Sequence, residues 1–76
     1  MEILDLHNIF HEDAKKIIED FILCNYSNLP VEIITGNSVD MQNILKCIIE
    51  NHNLRSVPSH PNNLGSYIIN YHLSNV

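Results

Sequence analysis

The residues best suited to chemistry stand near the amino terminus, where Asp5 and His7 are two positions apart in the stretch Leu4-Asp5-Leu6-His7. Side chains at positions i and i+2 of a β-strand share a face, so a strand here sets a carboxylate beside an imidazole. We expect this strand to be buried, and burying an unpaired charge is costly. Asp5 therefore needs a partner, and His7 could act as a general acid or base near neutral pH.

A second polar segment, Thr35-Gly36-Asn37-Ser38, follows an apolar stretch that begins at Val31. Gly36 can adopt a positive φ, and Asn37 and Ser38 are residue types that cap helices. Backbone N–H groups at the start of a helix bind anions, so residues 36–38 could hold a phosphate. Thr35 could hydrogen-bond that phosphate or the Asp5 carboxylate. Alternatively, Asp5 has a purely structural role, in which it caps the neighbouring turn or accepts N–H groups from Asn37 and Ser38.

The elements that must position these residues follow from apolar periodicity. Strands are predicted over residues 2–7 and 31–35, and a helix is predicted to start at each following polar segment, at His11 and near Ser38. Each helix has one apolar face, formed by Ala14, Ile17, Ile18, Phe21 and Ile22 in the first and by Met41, Ile44, Leu45, Ile48 and Ile49 in the second.

The carboxyl-terminal third predicts two further strands. Residues 54–57 form a short strand that should stop near Pro58, because proline cannot donate to a strand ladder. Residues 60–65 are predicted to be a loop, and residues 66–71 alternate as a last strand. Tyr67 and Tyr71 share a face there, where they either pack across strands or stack on bases.

The resulting order is βαβαββ, in one domain spanning residues 1–76. Strand-helix-strand connections are right-handed and parallel in nearly all proteins, which places the carboxyl ends of the first two strands at one edge of the sheet. Ligands bind at that edge in related architectures. We therefore expect His7 and the segment starting at Gly36 to meet. His60 and His72 are expected to be surface residues, and of the two His60 is the better candidate to join the site, because its loop could fold over the same edge.

Charge and composition limit the functions that fit. The chain has a net charge of −5 and only four Lys and Arg residues, whereas tight binding to long nucleic acids usually neutralises about six or more phosphates. Contact with nucleic acid should be local, weak or assisted by a partner. Cys24 and Cys47 have no metal-ligand spacing. The sequence has no apolar run long enough for a membrane span, and we expect a soluble cytoplasmic protein with no membrane partner.

Together the motifs resemble the Smr (small MutS-related) domain family. That family carries L-D-x-H-G on the first strand, H/T-G-x-G after the second and a glycine loop before the last strand. The matching segments here are Leu4 to His7, Thr35 to Ser38, and Asn63-Leu64-Gly65. Two glycines of the family pattern are replaced, by Asn8 and by Ser38, and Asn tolerates left-handed geometry better than most residues.

The resemblance implies an α/β (α+β) two-layer sandwich with a four-stranded mixed sheet and two helices on one face, similar to the C-terminal domain of bacterial translation initiation factor three. It also implies endonuclease activity on RNA or DNA. Asp5 and His7 would then be catalytic, with Asp5 orienting His7 or holding a divalent cation such as Mg²⁺. The predicted phosphate or nucleic-acid contacts are Thr35, Gly36, Asn37, Ser38, Asn63 and Gly65.

Two other functions remain open from the sequence. One is a non-catalytic module with the same fold that binds nucleic acid or the ribosome. The other is an adaptor that docks a partner protein on its acidic helix surface. A zinc site shared by His7 and His11 is disfavoured, since the first follows a strand and the second starts a helix.

Overall fold

The predicted order of elements is confirmed in the computed structural model, which describes residues 1–72 except for the side chain of Asn63. A short 3₁₀ helix at Tyr26–Asn28 follows the first α-helix. The remaining elements are β1 (Ile3–Asp5), α1 (His11–Cys24), β2 (Val31–Ile34), α2 (Val39–Asn51), β3 (Leu54–His60) and β4 (Asn63–Tyr71).

The four strands form one mixed sheet in the order β1-β2-β4-β3. Strands β1 and β2 are parallel, as the crossover rule predicts, while β4 runs antiparallel to both β2 and β3. The two central strands are therefore β2 and β4, and β1 and β3 lie at the edges. The last strand of the sequence, β4, thus lies between β2 from the first half of the chain and β3 from the second half.

A single core lies between the helices and one face of the sheet. Along β2, Val31 and Ile33 are fully buried, whereas Glu32 and Ile34 are only partly buried on the opposite face. Both helices contribute their predicted apolar faces. The buried apolar residues are Leu6, Ala14, Ile18, Ile22, Val31, Ile33, Met41, Leu45, Ile48, Ile49, Leu54 and Ile69.

The prediction for the hairpin was wrong in its boundaries. Strand β3 continues through Pro58 to His60, and β4 begins at Asn63, so only Pro61 and Asn62 connect them. Pro58 is tolerated because β3 is an edge strand, where a missing N–H does not break pairing with a second neighbour. The ladder also contains a bulge between Pro58 and His60.

The turn after β1 has the geometry that the sequence allows. Asn8 adopts φ 66°, in the left-handed region, where Asn is among the residues that fit with little strain. It fills this place without the glycine of the Smr pattern. None of the described helices is long and apolar enough to cross a membrane.

Candidate functional site

Asp5 and His7 form a carboxylate-imidazole pair on the predicted shared face. The Asp5 Oδ1 atom accepts the backbone N–H of His7 at 2.9 Å and lies 2.7 Å from the His7 Nδ1 atom. These two hydrogen bonds, the backbone one first, hold the pKa of Asp5 below its ordinary value of 3.8. Since an ionised carboxylate only accepts, Nδ1 carries the proton and the Nε2 lone pair of neutral His7 is left for other chemistry.

The pair is not buried, contrary to the expectation for this strand. The side chains of Asp5 and His7 are 58% and 61% exposed. Strand β1 is an edge strand. Asp5 points to the face of the sheet opposite the helices, whereas Leu4 packs against the core on the helix side. Water therefore solvates the carboxylate, and its hydrogen-bond donors are the two groups of His7 rather than the N–H groups of Asn37 and Ser38.

Gly36 brings the second predicted segment against the imidazole. Its φ of +70° lies in the left-handed region, and a Cβ atom placed there would be 3.0 Å from the Nε2 atom of His7. A side chain at position 36 would therefore strain the backbone and displace the ring. The two segments meet as predicted, with the free nitrogen of His7 beside the Gly36 backbone.

A cavity of about 360 Å³ opens at this place, on the face of the sheet opposite the helices. Four predicted site residues line it, together with four that the motifs did not single out as binding residues. The lining residues are His7, Glu32, Ile34, Gly36, Asn37, His60, Gly65 and Ser66. His60, which we expected to be a surface residue with the site as the alternative, lines this cavity from the end of β3.

Glu32 is the main residue that sequence reasoning missed. Its Oε2 atom accepts the hydroxyl of Ser66 and that of Ser59, the latter at 3.0 Å. These bonds, Ser66 first, hold the pKa of Glu32 below its ordinary value of 4.5 against the opposing effect of burial, and the charge of His60 lowers it further. The signal was present in the sequence, because Glu32 is the one charged residue within an otherwise apolar strand.

Thr35, for which we predicted a hydrogen bond to a phosphate or to Asp5, does not line the cavity. The residue is 4% exposed, on the same face of the sheet as Val31 and Ile33. Its hydroxyl donates to the carbonyl of Gly36 at 2.9 Å. The side chain therefore stabilises the turn after β2 from the core side.

Ser38 caps α2, as its residue type and position indicated. Its hydroxyl oxygen accepts the backbone N–H of Met41 at 3.1 Å, which makes Ser38 the N-cap of α2. The same oxygen lies 3.3 Å from Nε2 of His11. With these partners Ser38 caps the helix, and it is not among the residues that line the cavity.

The backbones of Gly36 and Gly65 are joined by a hydrogen bond. The Gly65 carbonyl accepts the N–H groups of Thr35 and Gly36 at 2.8 and 3.0 Å. We predicted that the Gly36 N–H would bind a phosphate, but this group already donates to Gly65. The Gly65 carbonyl thereby joins β4 to the turn after β2. Asn37 remains as the cavity-lining residue at the start of α2. The side chain of Asn63 lies outside the described part of the structure.

The predicted cation finds little support in the donor set. Within residues 1–72, no group of three or more His, Cys, Asp or Glu side chains is arranged to hold a metal ion. The polar partners of His11 are Asp40 and Ser38, whereas that of His7 is Asp5. Chemistry at the cavity is best derived from its own imidazoles and carboxylates.

The two tyrosines of β4 face the helix side of the sheet. Tyr67 packs against the core, and Tyr71 makes an edge-to-face contact with Tyr26, whose carbonyl accepts its hydroxyl. This is the packing alternative predicted from the sequence, and it leaves Tyr67 away from the cavity.

A scan against protein-family models found no match to this chain, and searches of curated proteins and of solved structures found none either. The Smr resemblance therefore stays a prediction that rests on the motifs and on the order of elements.

Proposed function

We propose that this protein is an endonuclease of the Smr type that cleaves RNA. The observation that carries the proposal is the Asp5-His7 pair, in which Nδ1 of the imidazole is 2.7 Å from a carboxylate oxygen while Nε2 lies beside Gly36 in an open cavity. A carboxylate that fixes the ring and stabilises its protonated form is a recurrent arrangement for general-base catalysis.

In the proposed reaction, Nε2 of His7 removes the proton from a ribose 2′-hydroxyl, and the resulting oxygen attacks the adjacent phosphorus. Asp5 accepts the Nδ1–H throughout and offsets the positive charge that forms on the ring. Asn37, at the start of α2, donates hydrogen bonds to the phosphate oxygens as their charge increases.

RNA is favoured over DNA because its 2′-hydroxyl supplies the nucleophile within the substrate. An imidazole can deprotonate that group without a resident cation, which agrees with the absence of a metal-ligand cluster among the described side chains. None of the cavity-lining residues is a Lys or Arg, so we expect weak binding to a short segment of RNA. We also propose a cytoplasmic location, since Cys24 and Cys47 are both unpaired thiols.

A non-catalytic binding module with the same fold is the second proposal. It is favoured by the Gly36 amide, which bonds the Gly65 carbonyl and so removes one donor that phosphoryl transfer could use. Such a module would bind RNA or the ribosome in a salt-dependent way, and its binding would be indifferent to the change Asp5→Ala.

The test uses purified protein and end-labelled single-stranded and duplex oligonucleotides of RNA and DNA, with and without a chelator. We expect cleavage of RNA that persists in the chelator. The His7→Ala variant should lose cleavage by about 100-fold or more, as is typical when a general base is removed. Asp5→Ala should lower the rate as well, because the ring is no longer oriented.

His11→Ala is the matched control. His11 is also an exposed imidazole near a carboxylate, 4.0 Å from Asp40, but it does not line the cavity. Its replacement should leave cleavage unchanged. The endonuclease proposal would be overturned if no cleavage is seen, or if cleavage does not depend on both Asp5 and His7. Binding of RNA without cleavage would favour the non-catalytic module.

A further inference from the structure

The second imidazole at the cavity, His60, lies beside an irregularity in the sheet. Ser59 reaches the cavity side, where its hydroxyl contacts Glu32, and regular alternation would send the next residue, His60, to the opposite face. His60 nevertheless lines the same cavity. The pairing is irregular at this point, because Pro58 pairs with Tyr67 and His60 with Asn63, which leaves Ser59 opposite three residues of β4. The bulge therefore lies in β4, and regular alternation is not enforced at His60, the last residue of β3; such irregular pairing often occurs beside active sites.

The backbone that carries His60 is tied to the centre of the sheet. The Ser59 hydroxyl bonds Glu32 on β2 at 3.0 Å and lies 2.8 Å from the Ser66 hydroxyl on β4. These contacts link β3, β4 and β2 at the floor of the cavity, and β4 begins only two residues after His60. They fix the backbone next to His60, whose side chain has no carboxylate within ion-pair distance among the described residues.

His7 and His60 approach the cavity from opposite edges of the sheet. His7 follows β1, His60 ends β3, and β2 and β4 lie between them. Three strand spacings of about 4.8 Å separate the two backbones by roughly 14 Å. Because both rings line the cavity between those edges, a phosphodiester bound there would have one imidazole on each side.

We propose that His60 is the general acid of the cleavage reaction and therefore a second catalytic residue. This inference rests on the proposed RNA endonuclease function. As the 2′-oxygen forms its bond to phosphorus, the bond from phosphorus to the 5′-oxygen breaks, and that oxygen takes its proton from the protonated His60 ring. The 2′-proton remains on His7. The products are a 2′,3′-cyclic phosphate and a free 5′-hydroxyl, with no water, metal or other reactant consumed.

Glu32 is the other titratable group of the cavity, and its environment suits it poorly to this role. Two serine hydroxyls donate to its carboxylate and favour the ionised form, which has no proton to give. Glu32 instead positions the strand segment next to His60 through Ser59. The assignment of His60 thus follows from the lining of the cavity, the bulge and the commitment of Glu32.

The test compares two RNA substrates that differ in one atom at the cleaved linkage. One has the ordinary 5′-oxygen, and the other has sulfur in its place, a leaving group that departs without being protonated. His60→Ala should slow cleavage of the oxygen substrate by about 100-fold or more and cleave the sulfur substrate at nearly the wild-type rate. His7→Ala should be slow on both substrates, since the nucleophile still needs a base.

His60→Gln, which keeps a polar side chain, is measured in parallel, and circular dichroism checks that both variants fold. If both His60 variants cleave the oxygen substrate at the wild-type rate, this inference is overturned and the endonuclease proposal stands. Equal losses on both substrates would also overturn it, by showing a role in binding or structure. A wild-type protein that cleaves neither substrate would instead reject the endonuclease proposal itself.

Discussion

At the scale of single residues, the Asp5-His7 pair serves geometry more than stability. Both side chains are more than half exposed, and water screens their interaction. What the pair does fix is the tautomer and orientation of the ring, through one bond to Nδ1 and one to the His7 backbone. The bond from the backbone N–H of residue 7 to Asp5 does not use a side chain, so it can persist with any residue except proline at position 7.

That difference between the two bonds gives a prediction for the titration of Asp5. The carboxyl should titrate below 3.8, and in His7→Ala the midpoint should rise toward 3.8 but stay below it, because the backbone N–H bond remains. A lowered pKa in the folded state stabilises the protein above the unfolded pKa, and that contribution is lost as the pH falls through the folded value. Side-chain carbon NMR across pH 2–6 measures both midpoints, and a wild-type midpoint at or above 3.8 would contradict the pairing.

At the scale of elements, the start of α2 and the end of β3 decide which side chains reach the cavity. The helix begins one residue after Ser38, whose hydroxyl caps Met41, and this leaves Asn37 at the cavity. His60, the last residue of β3, lines the cavity beside a bulge in the neighbouring β4. In both cases a local backbone feature, and not the residue type alone, determines which group is available for chemistry.

Replacing Ser38 tests its role as the N-cap of α2. Ser38→Ala should lower the free energy of unfolding by about 1 kcal/mol, the typical cost of losing a serine N-cap, as measured by urea denaturation. Ser27→Ala is the control, because Ser27 is exposed in the short 3₁₀ helix and should change stability by less than about 0.5 kcal/mol. Equal effects of the two substitutions would show that the cap contributes nothing.

At the scale of the whole molecule, charge restricts how this protein could bind nucleic acid under the proposed function. The net charge is −5, and Asp5 and Glu32 both face the side of the sheet that carries the cavity. Arg55 is on that face as well, beside a second cavity with Val57, Ile68, Asn70 and Tyr71. A substrate strand would thus meet one cation and two carboxylates, an arrangement that supports brief, local contact.

The salt dependence of RNA binding should therefore be shallow. Single-stranded nucleic acid gives a slope of about −0.7 in log K against log salt for each phosphate neutralised, so four Lys and Arg residues limit the slope to about −3. Fluorescence anisotropy of the His7→Ala variant with labelled RNA at pH 8, where histidines are mostly neutral, measures it. Arg55→Gln should reduce the slope by about 0.7 if Arg55 contacts a phosphate. A slope steeper than −3 would require a different mode of binding.

The sequence by itself determined the order of the elements, the apolar faces of both helices and the pairing of Asp5 with His7. These features depend on local periods, 3.6 residues for a helix and two for a strand, and on the right-handed crossover that brings Gly36 to the end of β1. Even the left-handed turn at Asn8 could be expected from its residue type.

Only the tertiary structure decided which other groups join that pair. Glu32, Ser59, Ser66 and His60 come from three strands, and their meeting depends on the strand order β1-β2-β4-β3 and on a bulge that local periodicity does not reveal. The same order left β1 at an edge, which exposed Asp5, and the parity of β2 turned Thr35 into the core. Strand order and bulges arise from packing between distant segments, and for that reason they decided the composition of the site.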